Sequence, residues 1–183
     1  MLNFIVIGIV LDEAYTGYDI KKEIEFGIGN FYKASYGSLY PALKKLTGKG
    51  YLSMTAQLEG NRPKKYYTAT DAGKTAFLEW LSAPFDPSAG SDSLLARIYF
   101  FGVLSEDTRR GLLLEYELYH QQVLRKLQTM EQELSAAIAD DRDYFEMSTL
   151  YLGIQHLQDS VRWFRTIREQ KPLSEFVRGE RYV

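Results

Sequence analysis

The chain has no cysteine and only two histidines among its 183 residues. The first absence excludes a disulfide framework, a zinc site built on thiolates and a cysteine nucleophile, and it suits a reducing cytosol. The histidines, His120 and His156, fall in separate helical segments, and no His-Glu-x-x-His pattern, nucleophile elbow or carboxylate cluster accompanies them. Asp140, Asp141 and Asp143 are not followed by a glutamate at calcium-loop spacing. Gly73-Lys74-Thr75 imitates the end of a phosphate-binding loop, but Thr68 stands where its first glycine belongs; Gly27-Ile28-Gly29 opens a dinucleotide-like pattern, but Tyr32 stands where its last glycine belongs. No metal, cofactor or catalytic activity is expected.

Long hydrophobic runs are also missing. Residues 2–11 come nearest, and they are roughly half of what a membrane-spanning helix needs. No basic segment precedes them, no small-residue cleavage site follows, and Asp12 and Glu13 come at once. They read as a buried helix of a soluble chain with no membrane contact. Nor does charge of one sign dominate: 22 basic against 24 acidic residues leave −2, which taken whole argues against nucleic acid as a partner.

What is present is an apolar content of 45%, in a chain long enough for one large domain or two small ones. After the first helix, Thr16 reads as the N-cap of a second over residues 17–26, with Tyr18, Ile20, Ile24 and Ile28 as its apolar positions. A third helix occupies residues 35–47 and is closed by Gly48 and Gly50. Residues 51–58 and 64–70 read as two strands around a turn over 59–63, and Thr70 or Asp71 caps a fourth helix. That is the element order of a winged helix-turn-helix.

Residues 83–93, with two prolines, a glycine and small polar residues, read as a linker. A short apolar helix over 94–104 follows, then a long one from Ser105 to about Ala139, a break over 140–143, and a last helix from Tyr144 to about Gln170, stopped near Pro172. Leu113, Tyr116, His120, Val123, Leu127, Met130 and Leu134 are spaced 3, 4, 3, 4, 3, 4, and Met147, Leu150, Ile154, Leu157, Val161 and Phe164 repeat the alternation. These are seams of helices crossing at a shallow angle. They suit an intramolecular antiparallel hairpin, and, because three helices make a thin domain, also the interface of a dimer. The expected fold is therefore mainly α: a winged helix-turn-helix with a two-stranded wing (residues 1–82), the linker, a coiled-coil-like helical dimerisation domain (94–172) and a tail (173–183).

Splitting the chain changes the reading of its charge. Residues 33–74 carry eight basic side chains, Lys33, Lys44, Lys45, Lys49, Arg62, Lys64, Lys65 and Lys74, against Glu59 and Asp71, so 8 − 2 = +6. Residues 1–32 sum to 2 − 5 = −3 and residues 75–183 to 12 − 17 = −5. The positive charge lies on the third helix and the hairpin, the two elements a winged helix lays on DNA. In the third helix Leu39, Ala42, Leu43 and Leu46 make the core stripe, while Gly37, Tyr40, Pro41 and Lys44, with Lys45 beside them, face outward. Ser35, Tyr36 and Ser38 sit at its N-terminal end, where backbone N–H groups and the helix dipole favour a phosphate. Pro41 cannot donate to residue 37, so either Ser38 is the true N-cap or the helix kinks. Arg62, Lys64 and Lys65 beside Gly60, Asn61 and Pro63 make a basic wing tip suited to the DNA backbone or minor groove, and Tyr66 and Tyr67 alternate faces. A winged helix reused as a protein-interaction module is the competing reading; it has no need of lysines on both elements.

Thr16-Gly17-Tyr18-Asp19-Ile20, the run Ser35-Tyr36-Gly37-Ser38-Leu39-Tyr40-Pro41-Ala42-Leu43-Lys44-Lys45-Leu46, then Arg62-Pro63-Lys64-Lys65-Tyr66-Tyr67, and Thr70-Asp71-Ala72-Gly73 together resemble the PadR family of bacterial transcriptional regulators. The resemblance covers residues 1–82. Thr16 departs from it, since many members carry His there, a difference expected to alter a cap more than function. The downstream helices resemble the larger dimerisation domain of one PadR subgroup. The resemblance implies a cytoplasmic homodimer on an inverted-repeat operator, acting as a repressor and released in many members by a small molecule, phenolic acids and drugs among them. A small aromatic effector would by analogy sit between the domains or at the dimer interface. Trp80, Tyr99, Phe100, Phe101, Trp163 and Phe164 are candidates to line that pocket, core and seam packing being the other reading of each.

Overall fold

A computed structural model describes residues 1–60, 62–134 and 141–177, the side chains of Glu59, Arg62, Asp141, Arg142, Glu175 and Val177 aside. The chain divides into two compact units, Met1–Ser105 and Glu106–Val183.

The first unit runs α1 (Leu2–Ile9), β1 (Tyr15–Thr16), α2 (Gly17–Gly27), α3 (Tyr36–Gly48), β2 (Leu52–Glu59), β3 (Arg62–Ala69), α4 (Asp71–Ser82), a 3-10 turn (Pro87–Ala89), α5 (Ser91–Tyr99) and a second 3-10 turn (Phe101–Val103). In α1 three successive residues, Ile5, Val6 and Ile7, are buried, so this helix is wrapped on most sides, as its unbroken apolar run requires. Around it pack Ile20 and Ile24 of α2, the stripe Leu39, Ala42, Leu43 and Leu46 of α3, and Phe77 and Leu81 of α4. Tyr18 departs from its expected place in the core. It is 57% exposed, because it lies two residues from Ile20, off the i, i+4 stripe.

Side-chain caps fix where the helices start. The Thr16 hydroxyl accepts from the Asp19 amide at 3.2 Å, while the Asp19 carboxylate accepts from the Thr16 amide at 3.2 Å and its hydroxyl at 2.6 Å. Thr70, rather than Asp71, caps α4: its oxygen accepts from the Gly73 amide at 3.1 Å and its hydroxyl donates to the Gly50 carbonyl at 2.6 Å. Gly50, at φ +71°, supplies the left-handed residue that turns the chain out of α3, and the Tyr51 amide returns to the Leu46 carbonyl at 3.0 Å.

The sheet has three strands in the order β1-β3-β2, not the two expected. Tyr15 pairs with Tyr67 and Thr16 with Tyr66, while β2 and β3 run antiparallel from Leu52↔Ala69 to Glu59↔Arg62. A two-residue strand is too short to display an alternation, and so it is invisible in sequence. The pairing of Glu59 with Arg62 leaves a two-residue turn whose first member, Gly60, has φ +63°, the left-handed conformation such hairpin turns demand.

Residues 83–93 hold the first 3-10 turn and the start of α5. Arg97 ties α5 to the end of α4: its Nη2 donates to the Leu81 carbonyl at 3.0 Å and also to that of Ala83, and its Nη1 donates to the Pro84 carbonyl at 3.3 Å. The Phe100 ring stands edge-on to Phe77 with centroids 5.4 Å apart. The helix expected over 94–104 is thus α5 followed by a 3-10 turn, with both attached to the N-terminal unit.

The second unit is α6 (Glu106–Leu134), α7 (Asp141–Arg168) and α8 (Leu173–Val177). The expected continuation of α6 to Ala139 falls outside the described residues, and α7 begins three residues before Tyr144. It ends at Arg168, where Gln170 at φ +51° and a bond from the Lys171 amide to the Thr166 carbonyl at 3.0 Å close it ahead of Pro172. The two long helices pack antiparallel on their 3-4 seams. Leu113, Tyr116, Met147, Ile154 and Phe164 are buried; Val123, Leu127, Leu150, Leu157 and Val161 are half-buried; Met130 and Leu134 are exposed. Glu117, buried in α6, accepts from Arg165 Nε and Arg168 Nε of α7, each at 2.9 Å.

Candidate nucleic-acid interface

The start of α3 is set by a reciprocal cap. The Ser35 oxygen accepts from the Ser38 amide at 3.1 Å, and the Ser38 oxygen accepts from the Ser35 amide at 3.1 Å. Ser35, not Ser38, is therefore the N-cap, and Pro41 lies inside a continuous helix. The missing donor frees the Gly37 carbonyl. Gly37 and Pro41 are both on the exposed face, where a freed carbonyl is open to solvent, so the proline is tolerated without ending the helix. Because the box consumes the Ser38 amide, the N–H groups left to an anion are those of Tyr36 and Gly37.

The two faces of α3 separate as the spacing predicts. The apolar stripe is buried, while Tyr36, Gly37, Ser38, Tyr40, Pro41, Lys44 and Lys45 are exposed, as are Ser35 and, just before the helix, Lys33. Tyr36 and Tyr40 stack with ring centroids 6.0 Å apart, and Lys21 of α2 lies 4.6 Å over the Tyr36 ring while pairing with Glu25. On the wing Lys64 and Lys65 are exposed and Tyr67 is buried; Arg62 belongs to β3 by its backbone, its side chain lying outside the described atoms. Burial, with the Tyr40 phenol adding to it, holds the Tyr67 hydroxyl above its usual ionisation range, so this group stays neutral.

Wing and helix meet at a hollow of about 450 Å³ lined by Thr16, Gly17, Tyr18 and Asp19 of the α2 start, Tyr40 of α3, and Lys64, Lys65 and Tyr67 of β3. Sequence reasoning missed the α2 contribution. Gly17 and Tyr18 reach this surface because β1 pairs with β3 and carries the head of α2 to the wing. Asp19 is the one carboxylate there, and its oxygen is already engaged by Thr16. The surface is thus cationic and aromatic, with hydroxyls and helix-end amides: a set that meets phosphates and base edges.

The aromatic residues considered for an effector fall in both units. Trp80 stacks on Phe4 at 5.0 Å, and Phe100 and Phe101 are buried in the N-terminal unit; Trp163 lies against Phe164 at 5.0 Å in the helical one. Among the described residues no group of three or more His, Cys, Asp or Glu is placed to hold a metal, and no helix is long and apolar enough to cross a membrane.

Residues 6–79 match the model of the transcriptional regulator PadR-like family. The chain carries a PadR-like domain. Residues 92–170 match a second model, the virulence activator alpha C-terminal region. The PadR-like domain and the helices after it are homologous to the negative transcriptional regulator PadR of Bacillus subtilis, which is 27% identical over 174 residues, 91% of this chain and 95% of that protein. A probable transcriptional regulator of Mycobacterium tuberculosis is 27% identical over 78 residues, 42% of this chain and 41% of the relative. Among solved structures, Bacillus subtilis PadR in complex with operator DNA matches at a TM-score of 0.47 with 27% identity, covering 92% of this chain and 98% of that one. The same protein in complex with p-coumaric acid matches at 0.42 with 26% identity, covering 92% and 97%.

Proposed function

We propose that this chain is a cytoplasmic, non-enzymatic repressor that binds an inverted-repeat operator as a homodimer, with α3 in the major groove and the wing on the adjacent backbone. The observation that carries the proposal is the segregation of charge. In the +6 segment of a PadR-like domain Lys33, Lys44, Lys45, Lys64 and Lys65 are all exposed, Lys64 and Lys65 line one hollow with Tyr40 of α3, and the α3 apolar stripe is buried. In this reading Lys33, Lys44, Lys45, Arg62, Lys64 and Lys65 neutralise phosphates, Ser35, Tyr36 and Ser38 frame a phosphate at the helix start, and Gly37, Tyr40 and Pro41 approach the bases. The helical unit supplies the second copy. Beyond the α6–α7 seam (Leu113, Tyr116, Val123, Leu127, Met130, Leu150, Ile154, Leu157, Val161, Phe164) it leaves Leu114 at 43%, Leu118 at 52%, Tyr151 at 46% and Leu152 at 56% exposed, apolar area that a partner would cover. Release by a small aromatic effector is part of the proposal. It is supported by the homology to Bacillus subtilis PadR, a protein crystallised with p-coumaric acid, and by the aromatic residues Trp80, Phe100, Phe101 and Trp163.

Selection of bound sequences from random duplex DNA with the purified protein tests the proposal. Recovery of a two-fold symmetric motif with half-sites about one helical turn apart is expected; an asymmetric or absent motif would refute the homodimeric operator.

A further inference from the structure

We infer that Gly17 is a positioning residue for sequence discrimination, its absent Cβ forming the seat that sets the pose of the Tyr40 ring on the recognition face. The inference rests on the DNA-binding reading above and deepens it.

Nothing in the backbone demands glycine at this position. Gly17 is the first residue of α2, buried, and it is not among the positive-φ glycines, which are Gly50, Gly60 and Gly90. Alanine would serve the helix better. What a side chain would meet is Tyr40. A Cβ built on Gly17 falls 3.1 Å from Tyr40 Cε1 and 3.3 Å from its hydroxyl oxygen, the remaining neighbour being Leu43 Cδ1 at 3.3 Å. These separations force the neighbour to move by a few tenths of an ångström. Leu43 is held in the core at 1% exposure, whereas Tyr40 is 50% exposed, so the tyrosine is the side chain that yields.

Among the described residues the ring that stacks on Tyr40 is Tyr36, at 6.0 Å, and Lys21 lies 4.6 Å over the Tyr36 ring. Lys21, Tyr36, Tyr40 and Gly17 therefore form one row that begins and ends on α2 and presents the Tyr40 phenol to the hollow shared with Lys64 and Lys65. Hydrogen bonds and edge contacts to bases weaken steeply with small changes of distance and angle. Lysine ammonium groups on phosphates are flexible point charges that tolerate such changes. Displacing the Tyr40 ring is thus expected to cost discrimination and to spare the affinity common to all sequences.

The test is a double-mutant cycle of wild type, Gly17→Ala, Tyr40→Ala and the double variant. It reads the ratio of Kd on random duplex to Kd on the selected operator, together with the salt slope on random duplex and thermal unfolding. Gly17→Ala is expected to lower the ratio about fivefold or more, the size of a lost base contact, with an unchanged slope. In the Tyr40→Ala background the same substitution changes the ratio by less than about twofold, since the side chain through which it acts is gone. If Gly17→Ala leaves the ratio intact while Tyr40→Ala lowers it, or if the two losses multiply in the double variant, the inference is overturned and the DNA-binding reading stands. A wild type with no preference and no salt dependence overturns both. Should Gly17→Ala unfold, Gly17→Ala/Leu43→Val removes the Leu43 contact, keeps the Tyr40 contact and carries the same comparison.

Discussion

Gly37 allows stability and DNA affinity to be pulled in opposite directions by a single methyl group. The residue is exposed in the first turn of α3, and its φ is not positive. A Cβ added there meets only Ser35 Oγ, at an ordinary 3.5 Å. Gly37→Ala therefore introduces no strain and restricts the unfolded chain, which should stabilise the fold by about 0.4–1 kcal/mol. For a chain of this length that corresponds to a rise in Tm of roughly 1–4 °C. On the recognition face the same methyl stands over one of the two amides left to an anion and beside the carbonyl that Pro41 frees. Losing a close backbone approach to DNA is expected to weaken operator binding about tenfold, equivalent to about 1.4 kcal/mol. Thermal unfolding and fluorescence anisotropy on one preparation measure both signs. A raised Tm with undiminished affinity would refute the placement of Gly37 against DNA, and a lowered Tm would refute the reading of its backbone.

Lys64→Ala should weaken binding to specific and random duplex alike and reduce the slope of log K against log salt by about 0.9, whereas Tyr40→Ala should change sequence preference; indistinguishable variants in parallel salt titrations would refute the division between wing and helix. Glu117 accepts from two arginines of α7 but is itself 3% exposed. Glu117→Ala should lower stability by about 1–3 kcal/mol after discounting for the solvent around Arg165, and a denaturant midpoint that does not move would show that α6 and α7 are held by their apolar seam alone. His120 donates its Nδ1–H to the Tyr116 carbonyl at 2.7 Å and lies 4.8 Å from the Phe164 ring; its burial lowers its pKa. The folded state thus binds this proton less readily than the unfolded chain, so the contribution to stability is full above the unfolded value of about 6.5 and is lost as pH falls through the lowered folded value. Unfolding midpoints from pH 7.5 to 5 should fall less steeply in His120→Gln than in wild type, and identical profiles would contradict the burial of the ring.

How much of this was legible in the sequence depended on whether a feature is local. The two faces of α3 follow from the 3.6-residue period, and Leu39, Ala42, Leu43 and Leu46 are all buried. Thr16, Ser35 and Thr70 declare helix starts because their oxygens reach an amide three residues on. Pro41 left two alternatives, since what a missing N–H costs depends on whether the orphaned carbonyl meets protein or water, and exposure is a tertiary property. The same limit explains the misplaced Tyr18 and the unseen β1. A half-turn of helix or a pair of strand residues carries no period, and the pairing of Tyr15 with Tyr67 spans the domain. Attachment of α5 through Arg97 and Phe100 was likewise hidden, because proline, glycine and serine in residues 83–93 announce turns without saying what the next helix touches. The seat of Tyr40 on Gly17 joins two helices and was not legible at all.

The salt dependence of binding to the selected operator is the most direct measure of the proposed interface. Lys33, Lys44, Lys45, Lys64 and Lys65 are exposed. If these five and Arg62 meet phosphates as proposed, log K should fall against log salt with a slope of about −5.4 per bound copy, doubled for a dimer, and random duplex should retain most of that slope at lower affinity. A slope near zero, or equal affinity for operator and random duplex at every salt concentration, would contradict the assignment of α3 and the wing as a sequence-reading surface.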